Sequence, residues 1–161
     1  MPTTISLASA VTLTNLSKRT LWRRISDGSL SRCDDNLMSD KAKVNLESIQ
    51  PLLVVSLRDE ELALLEPADN GDVGAQTELA IIFLSQEQPD NAAYWLKLAA
   101  KKNSNAMYLL GRCYVDGIGI EQNDDLGLMW IAKAAANGCF FAQVQMQAIK
   151  SKICRHDTPI I

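Results

Sequence analysis

The second half of the chain repeats itself, and that constrains the fold more than any other feature. Tyr94-Trp95-Leu96-Lys97-Leu98-Ala99-Ala100-Lys101 aligns without a gap on Met129-Trp130-Ile131-Ala132-Lys133-Ala134-Ala135-Ala136, setting the tryptophans 35 residues apart. Upstream, Ala75, Leu79, Ala80 and Phe83 correspond to Ala106, Leu110, Gly111 and Tyr114. A third start follows at Asn137-Gly138-Cys139-Phe140-Phe141-Ala142-Gln143, echoing Asn70-Gly71-Asp72-Val73-Gly74-Ala75-Gln76. A period of this size marks stacked helical hairpins. Small residues at Ala75, Ala80, Ala106 and Gly111 let helix backbones approach, while Phe83, Tyr114, Trp95 and Trp130 fill the groove between paired helices. Gly71 and Gly138 stand where a helix must end and reverse. One such unit cannot bury its apolar face alone, so neighbours stack into a short α-solenoid.

The pattern Ala-x3-Leu-Gly-x2-Tyr, then Gly-x-Gly, then Trp-x3-Ala-Ala-x2-Gly resembles the Sel-one-like repeat, a relative of the tetratricopeptide repeat. The unit Ala106–Gly138 keeps Leu110-Gly111, Tyr114, Gly117-Ile118-Gly119, Asp124, Trp130 and Ala134-Ala135. The first unit departs from it: Phe83 to Trp95 spans 12 residues where Tyr114 to Trp130 spans 16, and Gly-x-Gly is missing. Its inter-helix loop is therefore short. The third unit reads as a single capping helix, roughly 141–153. The resemblance covers about residues 68–150 and implies an adaptor that docks protein segments.

Charge divides the chain differently. The net charge of −3 conceals a basic first part, where Lys18, Arg19, Arg23 and Arg24 fall within seven residues without an intervening acid. Such a local basic face suits phosphate contact even in an acidic protein. Leu7 to Val11 predicts a short helix, with Leu7, Ala10 and Val11 inward. Leu13-Thr14-Asn15-Leu16 predicts the turn. Ser17 is a suitable N-cap for a second helix, Lys18 to Ser26, which Asp27-Gly28 closes. Leu21 and Ile25 face the core, so Lys18, Arg19, Trp22 and Arg23 point outward. A basic first turn on the second helix of such a pair suits the major groove.

Residues Leu7–Gly28, above all Leu16 to Ile25 with Gly28, resemble the helix-turn-helix of MerR-type and phage-excisionase-type winged-helix proteins. The resemblance implies a two-stranded wing, with Ser29–Arg32 and Lys41–Leu46 as strands and Asp34–Asp40 as the tip. The acidic tip would repel phosphate, which Arg32, Lys41 and Lys43 would offset. The candidate DNA-binding residues are therefore Ser17, Lys18, Arg19, Trp22, Arg23, Arg24, Arg32, Lys41 and Lys43, with Trp22 either touching DNA or packing on the wing.

Residues 47–66 are strongly apolar and read as helical, with Pro51 near the start and Pro67 after the end. They predict either the core that joins two domains or a homodimer interface. The expected organisation is a winged helix-turn-helix domain at 1–50, an apolar helical linker at 51–67 and a repeat domain at 68–161. The expected fold class is mostly α, with a small β-hairpin in the first domain and about two repeats plus a capping helix in the second.

Catalysis, cofactors and metals find no support in the residues. The cysteines Cys33, Cys113, Cys139 and Cys154 form no C-x-x-C, and the single histidine, His156, supplies with Cys154 fewer ligands than a zinc site requires. Gly117-Ile118-Gly119 follows no strand and precedes no Lys-Ser/Thr, so it is a repeat turn and not a phosphate loop. Asp124 and Asp125 fit a helix N-terminus, where carboxylates favour the dipole. No apolar run approaches the ~20 residues of a membrane span. The N-terminus lacks the charge of a secretory signal, so a cytoplasmic location is expected. Three functions remain: a regulator that binds double-stranded DNA and an unidentified protein partner, a scaffold that docks protein only, and a small-ligand sensor.

Overall fold

The computed structural model describes residues 3–33 and 42–156, the side chains of Arg155 and His156 excepted. Strand β1 (Thr4–Ser6) leads into α1 (Leu7–Thr14) and α2 (Lys18–Ser26). Strand β2 (Lys43–Asn45) then pairs antiparallel with β1, Ile5 opposite Val44. Short helices α3 (Leu46–Ile49), α4 (Asp59–Leu62) and α5 (Leu65–Asp69) follow, with a 3-10 turn at Gln50–Leu52. The remainder is α6 (Val73–Ser85), α7 (Pro89–Ala99), α8 (Ser104–Asp116), α9 (Asp124–Ala136) and α10 (Phe140–His156).

Helices α6–α7 and α8–α9 are the two repeated hairpins, and the shortened loop of the first is Gln86–Gln88. Asp72, Asn103 and Asn123 cap α6, α8 and α9 by accepting from backbone N–H groups at 2.7, 3.0 and 2.9 Å. Asp124 and Asp125 occupy the first turn of α9, as expected of carboxylates at a dipole's positive end. The seam between α8 and α9 shows why the repeat keeps small residues. A Cβ on Gly111 would lie 2.7 Å from Ile131 Cγ1 and 2.9 Å from the Gly127 carbonyl oxygen. At Gly119, φ is +66° and a Cβ would meet the Pro89 carbonyl oxygen at 2.2 Å, so this turn is pressed onto the start of α7. Phe83 and Trp95 are fully buried; Trp130 is only half-buried, with Lys133 Nζ 4.8 Å from its ring centre.

Helix α10 is longer than the expected 141–153, and its surface is divided. Carried forward in register, the repeat puts Gln147 where Ala80 and Gly111 stand, and Lys150 where Phe83 and Tyr114 stand. Both are exposed, so the row that in the earlier units carries small and aromatic residues is hydrophilic here. The start of α10 is the reverse: Phe140, Phe141 and Val144 are 68%, 65% and 52% exposed.

The first 33 residues differ from expectation in detail. Leu13 and Thr14 belong to α1, and the turn is Asn15–Ser17, with Asn15 in the left-handed region at φ 53°. Strand β1 was not anticipated. Of the expected wing, Arg32 bridges Val44 on the side of β2 away from β1, and Asn45 N–H donates to the Ser31 carbonyl at 3.0 Å. Ser29–Arg32 is otherwise not strand, and Lys41 with the tip Asp34–Asp40 lies outside the described residues.

The apolar segment 47–66 is not one helix. Residues 53–58 are non-helical, and Pro67 lies inside α5 rather than beyond it. Val54 N–H donates to the Leu13 carbonyl at 3.0 Å, while Gln86 Nε2 donates to the Ser56 carbonyl at 3.2 Å. Val55 and Leu65 are buried and Leu52, Leu53, Val54 and Leu57 pack half-buried against the same core. This segment is thus the seam between the N-terminal unit and the repeats, whose apolar content is used inside the chain. One buried cluster runs from Ile5 and Leu21 through Leu65 to Trp95 and Ile131.

Candidate interaction surfaces

The first surface is the outer face of α2. Ser17 caps the helix, its hydroxyl accepting from Thr20 N–H at 3.1 Å, and Gly28 follows the helix end at φ +78°. Leu21 is fully buried and Ile25 half-buried, which holds the helix from behind and turns Lys18, Arg19 and Arg23 to the exterior. Among the described residues, Arg19 and Arg23 enter no salt bridge. The Asp27 carboxyl is held below its ordinary range, first by the Ser29 hydroxyl and backbone N–H and then by Arg23 and Arg24.

Arg24 and Arg32 differ from the other basic residues. Arg24 is half-buried, with its Nε unpartnered among the described residues. Arg32 lies with its guanidinium carbon 5.6 Å from the Trp22 ring centre, and its Nε and one terminal nitrogen are buried without a partner among the described residues. Trp22 therefore packs on the segment expected to form the wing, which is one of its two anticipated roles. Lys43 Nζ donates to Asn70 Oδ1 at 3.4 Å, so this candidate reaches the start of the repeats. Ser17, Lys18, Arg19, Trp22 and Arg23 thus share one helix, and Arg32 joins them through Trp22.

The second surface is the exposed start of α10. Phe141 stacks on Tyr108 of α8, ring centres 6.2 Å apart at 23°, and Phe140 meets Phe141 edge-on at 5.9 Å. Beside them Arg112 is paired with Asp116 at 2.9 Å, and hydrogen bonding to Asp116 and Tyr108 raises its pKa above the usual arginine value. Sequence reasoning gave Phe140 and Phe141 only as part of the third repeat start and assigned them no surface. The available signal was the departure at Gln147 and Lys150 from the small and aromatic residues of the earlier units.

One carboxylate makes several of the polar links between the two units. Asp69 at the end of α5 accepts from Ser6 N–H at 2.8 Å and from the Ser6 and Ser9 hydroxyls at 2.5 Å each. Asn91 of α7 adds a bond to the Thr12 carbonyl at 2.9 Å. Neither residue was anticipated, since their partners lie 60 or more positions away.

Among the described residues no group of His, Cys, Asp or Glu is placed to hold a metal ion, and no helix is long and apolar enough to cross a membrane. Cys113 and Cys139 are buried, Cys33 and Cys154 exposed; burial, then Asp116, pushes the Cys113 thiol above its ordinary pKa.

Comparison with known proteins bears on the second half. The Sel1 repeat family model matches residues 73–104 and 104–139. A crystal structure of a Sel1 repeat protein from Oxalobacter formigenes superposes with a TM-score of 0.51 at 24% identity, covering 65% of this chain and 32% of that one. The chain thus spans about a third of that protein's length, and at this identity the likeness concerns the fold alone. No curated protein sequence matches the chain. The chain is mostly helical and carries Sel1 repeats in its second half, where α6–α7 and α8–α9 form the hairpins.

Proposed function

We propose that the protein is a non-enzymatic docking module whose Sel1 repeats bind a partner protein at the apolar start of α10. The observation that carries this reading is the cluster of Phe140, Phe141 and Val144, exposed beside Tyr108 at the end of the repeats. Contiguous exposed aromatics on a soluble domain mark interaction sites. Aromatic side chains also give large contact area for little entropy loss. The occupant is a protein segment with an apolar anchor that packs on the exposed faces of Phe140, Phe141 and Val144. Selection from a displayed peptide library should enrich such segments. A Phe140→Asp/Phe141→Asp variant should retain its melting temperature and lose their binding. Undiminished binding to that variant refutes the assignment.

A second reading, DNA binding by the N-terminal unit, is favoured by one observation: Arg19 and Arg23 project from a capped helix with no salt bridge among the described residues. In this reading the protein is a transcriptional regulator. Ser17, Lys18, Arg19 and Arg23 meet the duplex on α2, with Trp22 packed against Arg32 behind them, while Arg24, Arg32, Lys41 and Lys43 support contact from the flanking segment. The division into a DNA-binding unit at 1–50, a seam at 51–67 and a repeat unit at 68–161 belongs to the same proposal. Homodimerisation would reinforce it by reading two half-sites, although the apolar seam that first suggested a dimer packs within the chain. A gel-shift titration tests this reading: binding should weaken steeply with salt and disappear in Arg19→Ala/Arg23→Ala. No binding at low salt would leave the docking function alone.

A further inference from the structure

Where the N-terminal unit meets the first repeat there is a cleft of about 370 Å³, distinct from the start of α10. Ser6, Asp69, Tyr94, Trp95, Lys101 and Lys102 line it, among others. Trp95 is fully buried, and its indole N–H has no hydrogen-bond partner among the described residues. A buried donor left unpaired keeps its full desolvation penalty, so an acceptor reaching this nitrogen gains more than one at the surface. Lys101 and Lys102 are exposed and enter no salt bridge among the described residues. Asp69 is the one acid in the lining, and it is already engaged with three donors from Ser6 and Ser9. The lining therefore offers two cations and an unsatisfied neutral donor, with its single carboxylate already engaged.

We infer that this cleft binds an acidic peptide segment, one carboxylate reaching toward the Trp95 indole N–H while Lys101 and Lys102 hold the charge at the mouth. The cleft is large enough for one or two side chains but not for a folded domain, which fits an extended segment. Charge-assisted bonds between ammonium and carboxylate, together with one neutral indole donor, give recognition that depends on both charge and an acceptor at depth. The inference is independent of the α10 surface, because the cleft lies at the other end of the repeats.

The test uses the full chain and an acetylated, amidated Glu-Asp-Glu-Asp peptide as probe, with Gln-Asn-Gln-Asn as its neutral counterpart. Two-dimensional NMR of the protein labelled at tryptophan indole nitrogens reads Trp22, Trp95 and Trp130 separately. The acidic peptide should move the Trp95 indole signal downfield in a saturable way and leave Trp130 in place; the neutral peptide should do neither. Lys101→Glu/Lys102→Glu should weaken binding by about tenfold or more, the scale of losing charge-assisted bonds. Both lysines are exposed, so this variant should keep its fold. Trp95→Phe should weaken binding less, and its melting temperature shows whether the core is intact. Binding without movement of the Trp95 signal overturns the proposal. So does inorganic phosphate binding in place of the peptide, or an undiminished response in the lysine variant. Failure here leaves the α10 surface untouched, since Phe140→Asp/Phe141→Asp should not alter this titration.

Discussion

Replacing Asp69 by alanine should loosen the N-terminal unit from the repeats, and the structure sets the size of the effect. The carboxylate accepts the Ser6 N–H at 2.8 Å and the Ser6 and Ser9 hydroxyls at 2.5 Å. Hydrogen bonds to a charged group contribute about 1.5–3 kcal/mol each, but these are only part-buried and the hydroxyls can turn to water. The backbone N–H cannot turn, and it sits in β1 at the cap of α1, so its loss is the least recoverable. The net cost is about 2–4 kcal/mol. At this chain length each kcal/mol lowers the melting temperature by roughly 2–4 °C, so a fall of about 4–16 °C is expected. Circular dichroism measures the fall, and amide hydrogen exchange should locate the loss of protection in β1 and α1. Asp69→Asn, which keeps one carbonyl acceptor, should lie between the two. A change below about 1 kcal/mol, or loss of protection confined to α8–α10, would refute the view that this carboxylate joins the units.

Gly111→Ala should destabilise despite the higher helix propensity of alanine: the gain is about 1 kcal/mol, but forcing a methyl to 2.9 Å from the Gly127 carbonyl oxygen costs about 1–3 kcal/mol. Thermal melts should show a net loss, and a gain would mean the α8–α9 seam is looser than these contacts require. Acid denaturation should register Glu61, whose carboxyl is held below its ordinary pKa by Arg58, through the side chain first and the backbone N–H second. A depressed folded pKa stabilises above the unfolded carboxylate value and is lost as pH falls through the folded one. Glu61→Gln should therefore lower stability at neutral pH and flatten the acid limb below about pH 4; an unchanged limb would contradict the pairing. Native protein should react with a thiol reagent at Cys33 and Cys154 and protect Cys113 and Cys139 until unfolded; mass mapping of labelled peptides distinguishes them.

What the sequence conveyed and what it withheld separate along physical lines. The repeat was legible because each hairpin is local: Gly71, Gly138 and the paired small residues act within a few turns of themselves, and Sel1 repeats are found there. The cap at Ser17 and the buried face of Leu21 were legible for the same reason. Residues 53–58 were not, because a short apolar run reads alike as buried helix or buried extended chain. Their backbone is fixed by Leu13 and Gln86, contacts that no window of sequence contains. Strand β1 is three residues long and exists only through its pairing with β2. The exposure of Phe140 and Phe141 was not legible, because a repeat register places residues along the chain without saying which neighbours cover them. The division of basic residues between open α2 and half-buried Arg24 and Arg32 likewise depends on Trp22, whose partner is ten positions on.

The docking account is tested most directly by hydrogen–deuterium exchange of the full chain with and without a saturating library-selected peptide. Protection gained at the start of α10 and along α8 around Tyr108, with α1 and α2 unchanged, is the predicted result. Protection gained on α2 alone, or none near Phe140 and Phe141 under saturation, would contradict it.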